Sequence, residues 1–88
     1  MHWKITLCVV QRIYFVYGFG QDTPTPRSTL EAADALMLEI VGAGRNTMTE
    51  IAVVGKTVPI RRRYWSRELN QFVDDRTSGS FDWNRCRE

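Results

Sequence analysis

The chain has 88 residues, of which 43% are hydrophobic and 25% are charged, and its formal net charge at pH 7 is +2. These values predict one folded domain of marginal stability and exclude a disordered chain, since disordered chains are less apolar and more strongly charged. They also exclude strong general affinity for nucleic acid, which depends on neutralising many phosphates. The basic excess is late in the chain, where residues 56–88 carry eight basic and five acidic side chains.

The two cysteines, Cys8 and Cys86, form neither a disulfide framework nor a metal-binding pair. We expect Cys8 to be a small core residue and Cys86 to be exposed, with a bridge between them as the less favoured alternative. The apolar segment from Trp3 to Gly20 is interrupted by Gln11 and Arg12, so it is too short for a signal core or a membrane helix. We therefore expect a soluble, cytoplasmic protein without membrane contact.

The first predicted element is a strand, because residues 3–17 alternate with the period of a β-strand. The apolar positions of one parity are Trp3, Ile5, Leu7, Val9, Ile13, Phe15 and Tyr17. A single strand of this length would be unusual, so we expect either one bent strand or a hairpin, with the break near residues 10–12. Residues 18–27 are predicted to be a loop, since they contain glycines, prolines, an aspartate and threonines.

The clearest local signal predicts one helix, from about Thr29 to Val41. Ser28 and Glu31 have the spacing of a capping box, in which each side chain satisfies the backbone amide of the other residue. Gly42 and Gly44 predict the end of the helix. The predicted buried face consists of Leu30, Ala33, Met37, Ile40 and Val41. The predicted solvent-facing stripe consists of Glu31, Asp34 and Glu39.

Two further strands are predicted, from Met48 to Val54 and from Thr57 to Trp65, with Gly55–Lys56 as a hairpin loop. Pro59 has no backbone N–H to donate, which favours the edge of a sheet for the later strand. Residues 66–73 fit either a short helix or a continuation of that strand. Together the elements predict a small α+β domain, with an antiparallel sheet of about three to four strands on one main helix. The predicted order is β(β)-α-β-β, with a short C-terminal helix as an option.

We predict a single domain over residues 1–75 and a loosely attached tail over residues 76–88. The tail contains two isolated aromatic residues, Phe81 and Trp83. One interpretation is that they fold back onto the sheet, and the other is that they anchor a partner. The sequence favours neither.

The most distinctive run is Pro59–Trp65, in which three consecutive arginines precede Tyr64 and Trp65. Strand alternation predicts that Arg61, Arg63 and Trp65 share one face, while Arg62 and Tyr64 share the other. We expect Arg61 and Arg63 to form an exposed basic pair beside Trp65, able to bind carboxylates or phosphates. The alternative is a charged edge strand that is protected against aggregation.

Four other candidates for chemistry are weak. Residues 17–20 resemble part of an RNA-recognition signature, but they lack its basic residue and precede the helix, so we interpret them as a glycine-rich strand exit. The glycines of residues 42–45 follow a helix, whereas a phosphate loop leads into one. His2 is the only histidine. Asp74 and Asp75 are sequence neighbours whose side chains usually point apart, so they do not predict a general acid and base. We predict no enzyme, no cofactor and no metal site.

We therefore predict a non-catalytic protein-binding module that acts as an inhibitor, adaptor or regulatory subunit. Phage and mobile elements encode many such small proteins, including inhibitors of host defence. The expected partner is another protein with an acidic surface. The predicted contact residues are Arg61, Arg62, Arg63, Tyr64, Trp65 and Arg67. One alternative is a nucleic-acid-binding module that uses the Arg61–Trp65 strand for phosphate contacts and base stacking. Another is a homodimer formed through the edge strand.

Overall fold

The computed structural model describes residues 11–56, 59–76 and 79–87, which form a five-stranded antiparallel sheet and one α-helix. The elements are β1 (Arg12–Gly18), β2 (Thr25–Arg27), α1 (Leu30–Gly42), β3 (Thr47–Val53), β4 (Arg61–Ser66), β5 (Gln71–Asp75) and a 3-10 helix (Trp83–Arg87). The strand order is β2-β1-β3-β4-β5. The predicted α+β class is confirmed, but the sheet has more strands than we predicted.

The first predicted strand is described only in part. β1 begins at Arg12, and the choice between a bent strand and a hairpin concerns residues outside the described ranges, as does the expected core position of Cys8. β3 lies one residue earlier than predicted. Gly55 has a left-handed φ of 89° in a turn that the Lys56 amide closes on the Val53 carbonyl at 3.0 Å. Because β4 begins only at Arg61, this connection is longer than the predicted two-residue hairpin loop.

The two strands that we did not predict, β2 and β5, are the edge strands of the sheet. β2 is a short strand inside the predicted loop, and β5 occupies part of the segment read as a helix or a continued strand. Between β4 and β5 the chain reverses at Asn70, whose φ of 53° lies in the left-handed region that asparagine tolerates. Because β5 pairs with β4, the strand carrying the arginine run lies inside the sheet. The prediction of an edge position for it is wrong.

The helix has nearly the predicted ends but a different cap. Its first residue is Leu30, and the Thr29 hydroxyl accepts a hydrogen bond from the Ala32 amide at 3.1 Å, so Thr29 replaces Ser28 as the N-cap. At the other end Gly44 has a φ of 85° and donates to the Val41 carbonyl at 2.9 Å. None of the described helices is long and apolar enough to cross a membrane.

The helix packs on one face of the sheet, which we call the helix face. Ala33 and Met37 are fully buried there against Val16, and the Thr49 hydroxyl donates to the Met37 sulfur at 3.0 Å. The partly buried residues around them are Tyr14, Leu36, Ile40 and Phe72. Leu30, predicted to be buried, is 38% exposed. The stripe that contacts the sheet is centred on Ala33 and Met37, which leaves the first turn at its margin.

The opposite face of the sheet is covered by residues 79–87, which we call the covering segment. Cys86 is fully buried there beside Met48 and Tyr64, so its predicted exposure is wrong. Residues packed around this cluster are Tyr17, Val73, Phe81 and Trp83. The Arg67 amide donates to the Cys86 carbonyl at 2.8 Å. Of the two interpretations of the tail aromatics, packing on the sheet is the one observed.

The attachment of the covering segment can be measured through Cys86. In a Cys8→Ser variant we expect Cys86 to resist iodoacetamide in native buffer and to react readily in denaturant. The native thiol is buried, and burial raises its pKa, so less reactive thiolate is present at neutral pH. Mass spectrometry of the intact protein follows the reaction. Equal rates in the two conditions would mean that the segment detaches easily, as expected for a loosely attached tail.

Candidate binding surface

The predicted contact run is distributed over both faces of β4. The alternation is as predicted, since the β3–β4 register places Arg61 and Arg63 on the helix face, opposite Ile51 and Thr49. Both faces are covered, however, and the side chain of Arg63 is only 18% exposed. Arg62 is only 7% exposed, whereas Arg61 is 44% exposed. The expected exposed pair of Arg61 and Arg63 does not form.

Arg63 joins β4 to the helix and to β5. Its Nε and Nη2 atoms donate to the two carboxylate oxygens of Asp34, each at 2.9 Å. Nη1 donates to Asp74 at 3.3 Å, and the guanidinium carbon lies 4.5 Å from the centre of the Phe72 ring. Burial acts to lower the pKa of Arg63, but hydrogen bonds and charges from Asp34 and Asp74 outweigh it and raise that pKa. Asp34, predicted to face solvent, is therefore a structural partner of Arg63.

Arg62 is part of a polar network on the opposite face. Its Nε and Nη2 atoms each lie 3.3 Å from one oxygen of Glu50, and Nη2 also donates to the Gly79 carbonyl in the covering segment. Burial, a hydrogen bond to the same carboxylate and the charge of Glu50 raise the pKa of Tyr17. The network links β1, β3, β4 and the covering segment.

The two aromatic residues of the run pack within the monomer. Tyr64 is 7% exposed, with its ring 5.6 Å from that of Phe81. Trp65 meets the Phe72 ring edge-on at 4.9 Å and is half-buried. Base stacking requires an open ring face, which Tyr64 does not offer. Most side chains of the Arg61–Trp65 run therefore make contacts within the monomer. Arg61 and Trp65 are the residues of the run that remain partly accessible.

Arg67, the last predicted contact residue, lies in a different place. It lines a cleft of about 380 Å³ at the end of the sheet where β3 begins and β4 ends. The cleft, which we call the arginine cleft, is lined by Phe19, Gly44, Arg45, Asn46, Arg67 and Arg87. Its walls are turns held by backbone hydrogen bonds, including Phe19 N–H to the Asn46 carbonyl at 2.9 Å. Arg67 Nε donates to Asn46 Oδ1 at 2.6 Å, which orients its guanidinium group.

The arginine cleft carries positive charge that no described carboxylate neutralises. Within the described ranges no carboxylate lies at ion-pair distance from Arg45, Arg67 or Arg87. By contrast, each arginine of the 61–63 run has an acidic partner. This difference distinguishes the cleft from the predicted contact run.

An aromatic cleft adjoins the arginine cleft. Phe19 lines both, is 54% exposed and meets the Trp83 ring edge-on at 5.4 Å. The second cleft has a volume of about 650 Å³, and its floor includes Met48, Glu50 and Arg62. The exposed ring of Phe19 thus lies between the arginine cleft and the aromatic cleft.

Of the three cleft arginines, only Arg67 was predicted from the sequence to be a contact residue. Arg45 follows the helix end, Arg67 follows β4 and Arg87 lies in the predicted tail, so each is at least 20 residues from the next. Their local sequences share no motif, and only the fold brings them together. Phe19 lies between two glycines in the predicted loop, and only its aromatic ring indicated that it could contribute to a binding site.

No group of three His, Cys, Asp or Glu side chains in the described ranges is arranged to hold a metal ion. His2 lies outside those ranges.

No protein-family model matches the chain, and the searches of curated proteins and solved structures give no match either.

Proposed function

We propose that this chain is a non-catalytic protein-binding module, acting as an inhibitor, adaptor or regulatory subunit, that contacts an acidic surface of its partner. The observation that carries the proposal is the convergence of Arg45, Arg67 and Arg87 on one cleft without a carboxylate partner among the described residues. Guanidinium groups pair with carboxylates in two-point geometry, and arginine is enriched at binding hot spots. The free buried thiol of Cys86 fits a cytoplasmic, reducing environment.

The exposed ring of Phe19 strengthens this proposal. Aromatic side chains supply apolar contact area at interfaces, and Phe19 stands directly beside the arginines. The same pairing of a ring with basic groups supports the alternative, a nucleic-acid-binding module. We favour a protein because three arginines supply few phosphate contacts, and the chain carries ten acidic residues against twelve basic ones.

The proposal is tested by removing the charge of the arginine cleft. We expect the triple variant Arg45→Ala, Arg67→Ala, Arg87→Ala to bind its partner at least about 2 kcal/mol more weakly, the scale of hot-spot residues. Its melting temperature should change little, because exposed charges contribute little to stability. The matched control is Arg12→Ala, Arg61→Ala, Arg76→Ala, which removes the same charge from exposed positions outside the cleft. Partners are captured from host extract with tagged protein and quantified by mass spectrometry.

The control also tests the contact run predicted from sequence. If the control variant loses a partner that the cleft variant retains, the contact surface includes one of the control positions and the arginine cleft is not the site. The single variant Arg61→Ala then tests the predicted run. Fluorescence anisotropy with a labelled single strand and a labelled duplex tests the alternative function. Tight binding to either probe that persists at about 0.2 M salt would favour the nucleic-acid-binding function, since binding by only a few phosphate contacts is lost by that concentration.

A further inference from the structure

The open side of β5 is a second surface with the chemistry of an interface. The strand order leaves β2 and β5 at the two edges of the sheet. β2 has three residues and includes Pro26, which lacks an N–H, whereas β5 has five residues and no proline. In an antiparallel ladder alternate residues direct their N–H and C=O groups away from the neighbouring strand. Among the described residues no backbone hydrogen bond joins Phe72, Val73 or Asp74 to any strand other than β4.

This edge carries only part of the usual protection against pairing. Natural edge strands are blunted by short length, charged side chains (especially lysine), proline or bulges. β5 pairs with β4 in regular register over all five residues and contains no lysine. Its charged residues are engaged within the monomer, since Asp74 accepts from Arg63 at 3.3 Å and Asp75 from Arg85 at 2.7 Å. The charge that would repel another strand is therefore partly neutralised.

The β5 sequence is also compatible with itself. In antiparallel pairing about a twofold axis at Val73, Val73 lies opposite the second Val73, and Phe72 lies opposite the second Asp74. No carboxylate then faces a carboxylate directly, whereas an axis at Asp74 would place two of them opposite each other. Val73 is the central residue of β5, so an axis there pairs all five residues of the strand with the second copy, whereas an axis at Phe72 pairs only three of them. A twofold axis also closes the contact between two copies. The axis at Val73 is thus the register that gives the longest pairing without facing carboxylates.

We propose that a second copy of this chain pairs with β5, antiparallel about Val73, to form a continuous sheet across two molecules. The contact is short, so the dimer should dissociate on dilution, as small interfaces do. Sedimentation velocity at increasing concentrations should show a reversible shift from monomer to dimer. A species that remains monomeric at every concentration would overturn the proposal. The proposal does not depend on the arginine cleft, and the cleft variant should dimerise like the wild type.

Site-directed cross-linking tests the register. In a Cys8→Ser background, Val73→Cys should give a disulfide-linked dimer on mild oxidation, because the two introduced thiols face each other across the axis. The matched variant Gln71→Cys should cross-link much more slowly, since Gln71 lies opposite the second Asp75 in this register. Equal rates at the two positions would overturn the proposed register, and absence of cross-linking at position 73 would overturn the pairing. Circular dichroism checks that both variants are folded.

Discussion

Arg62→Ala is expected to lower the free energy of unfolding by about 3 kcal/mol, whereas Arg61→Ala should change it by less than about 0.5 kcal/mol. Removing Arg62 leaves the Glu50 carboxylate without its cation on a covered face of the sheet. Loss of one partner from a buried pair costs about 3–5 kcal/mol. Glu50 keeps 19% of its side chain exposed, so we expect the lower end of that range. Arg61 and Asp74 are 4.0 Å apart and about half exposed, and such a pair contributes little.

Urea denaturation followed by far-UV circular dichroism measures both effects. The double variant Arg62→Met, Glu50→Leu removes the pair together and should be more stable than Arg62→Ala, since apolar replacements of a buried pair are often well tolerated. Similar losses at positions 61 and 62 would contradict the burial that separates these neighbours.

Met37→Ala is expected to destabilise the protein by about 2–5 kcal/mol. Met37 is fully buried between α1 and the sheet, where it packs on Val16 and accepts a hydrogen bond from Thr49. The substitution removes apolar contacts and leaves a cavity, and it deprives the buried Thr49 hydroxyl of its acceptor. Domains of this size have about 5–15 kcal/mol of total stability, so the loss is a large share of it.

The neighbouring leucine provides the control for Met37. Leu38 is 48% exposed on the same helix, and Leu38→Ala should cost less than about 1 kcal/mol. Thermal and urea denaturation of the two variants are compared under identical conditions. Equal losses would mean that the helix is rotated relative to the sheet, with Leu38 buried as deeply as Met37.

Features encoded by neighbouring residues could be predicted from the sequence. The helix, its glycine end and the β3 strand each depend on a few consecutive side chains, and each was located to within about one or two residues. β2 and β5 were missed because their signals contradict their structure. β2 contains a proline among loop residues, and β5 follows a turn whose left-handed residue is Asn70 rather than glycine.

The candidate site could not be predicted because it depends on contacts between distant residues. Alternation correctly showed which arginines share a face, but it could not show that both faces are covered. Arg63 meets Asp34, which is 29 residues away, and Arg62 meets Gly79, which is 17 residues away. The arginines that have no acidic partner among the described residues are identified only after these pairs are known. A run of like charges in a sequence therefore says little about where net charge lies on the folded surface.

The strand order has a consequence for the order of folding. Three of the four strand pairs, β1–β2, β3–β4 and β4–β5, join elements that are consecutive strands along the chain. Only β1–β3 encloses β2 and the helix, so this pair closes the longest loop between neighbouring strands and is expected to form later than the other three. The β3–β4–β5 meander can therefore assemble before the helix docks against it.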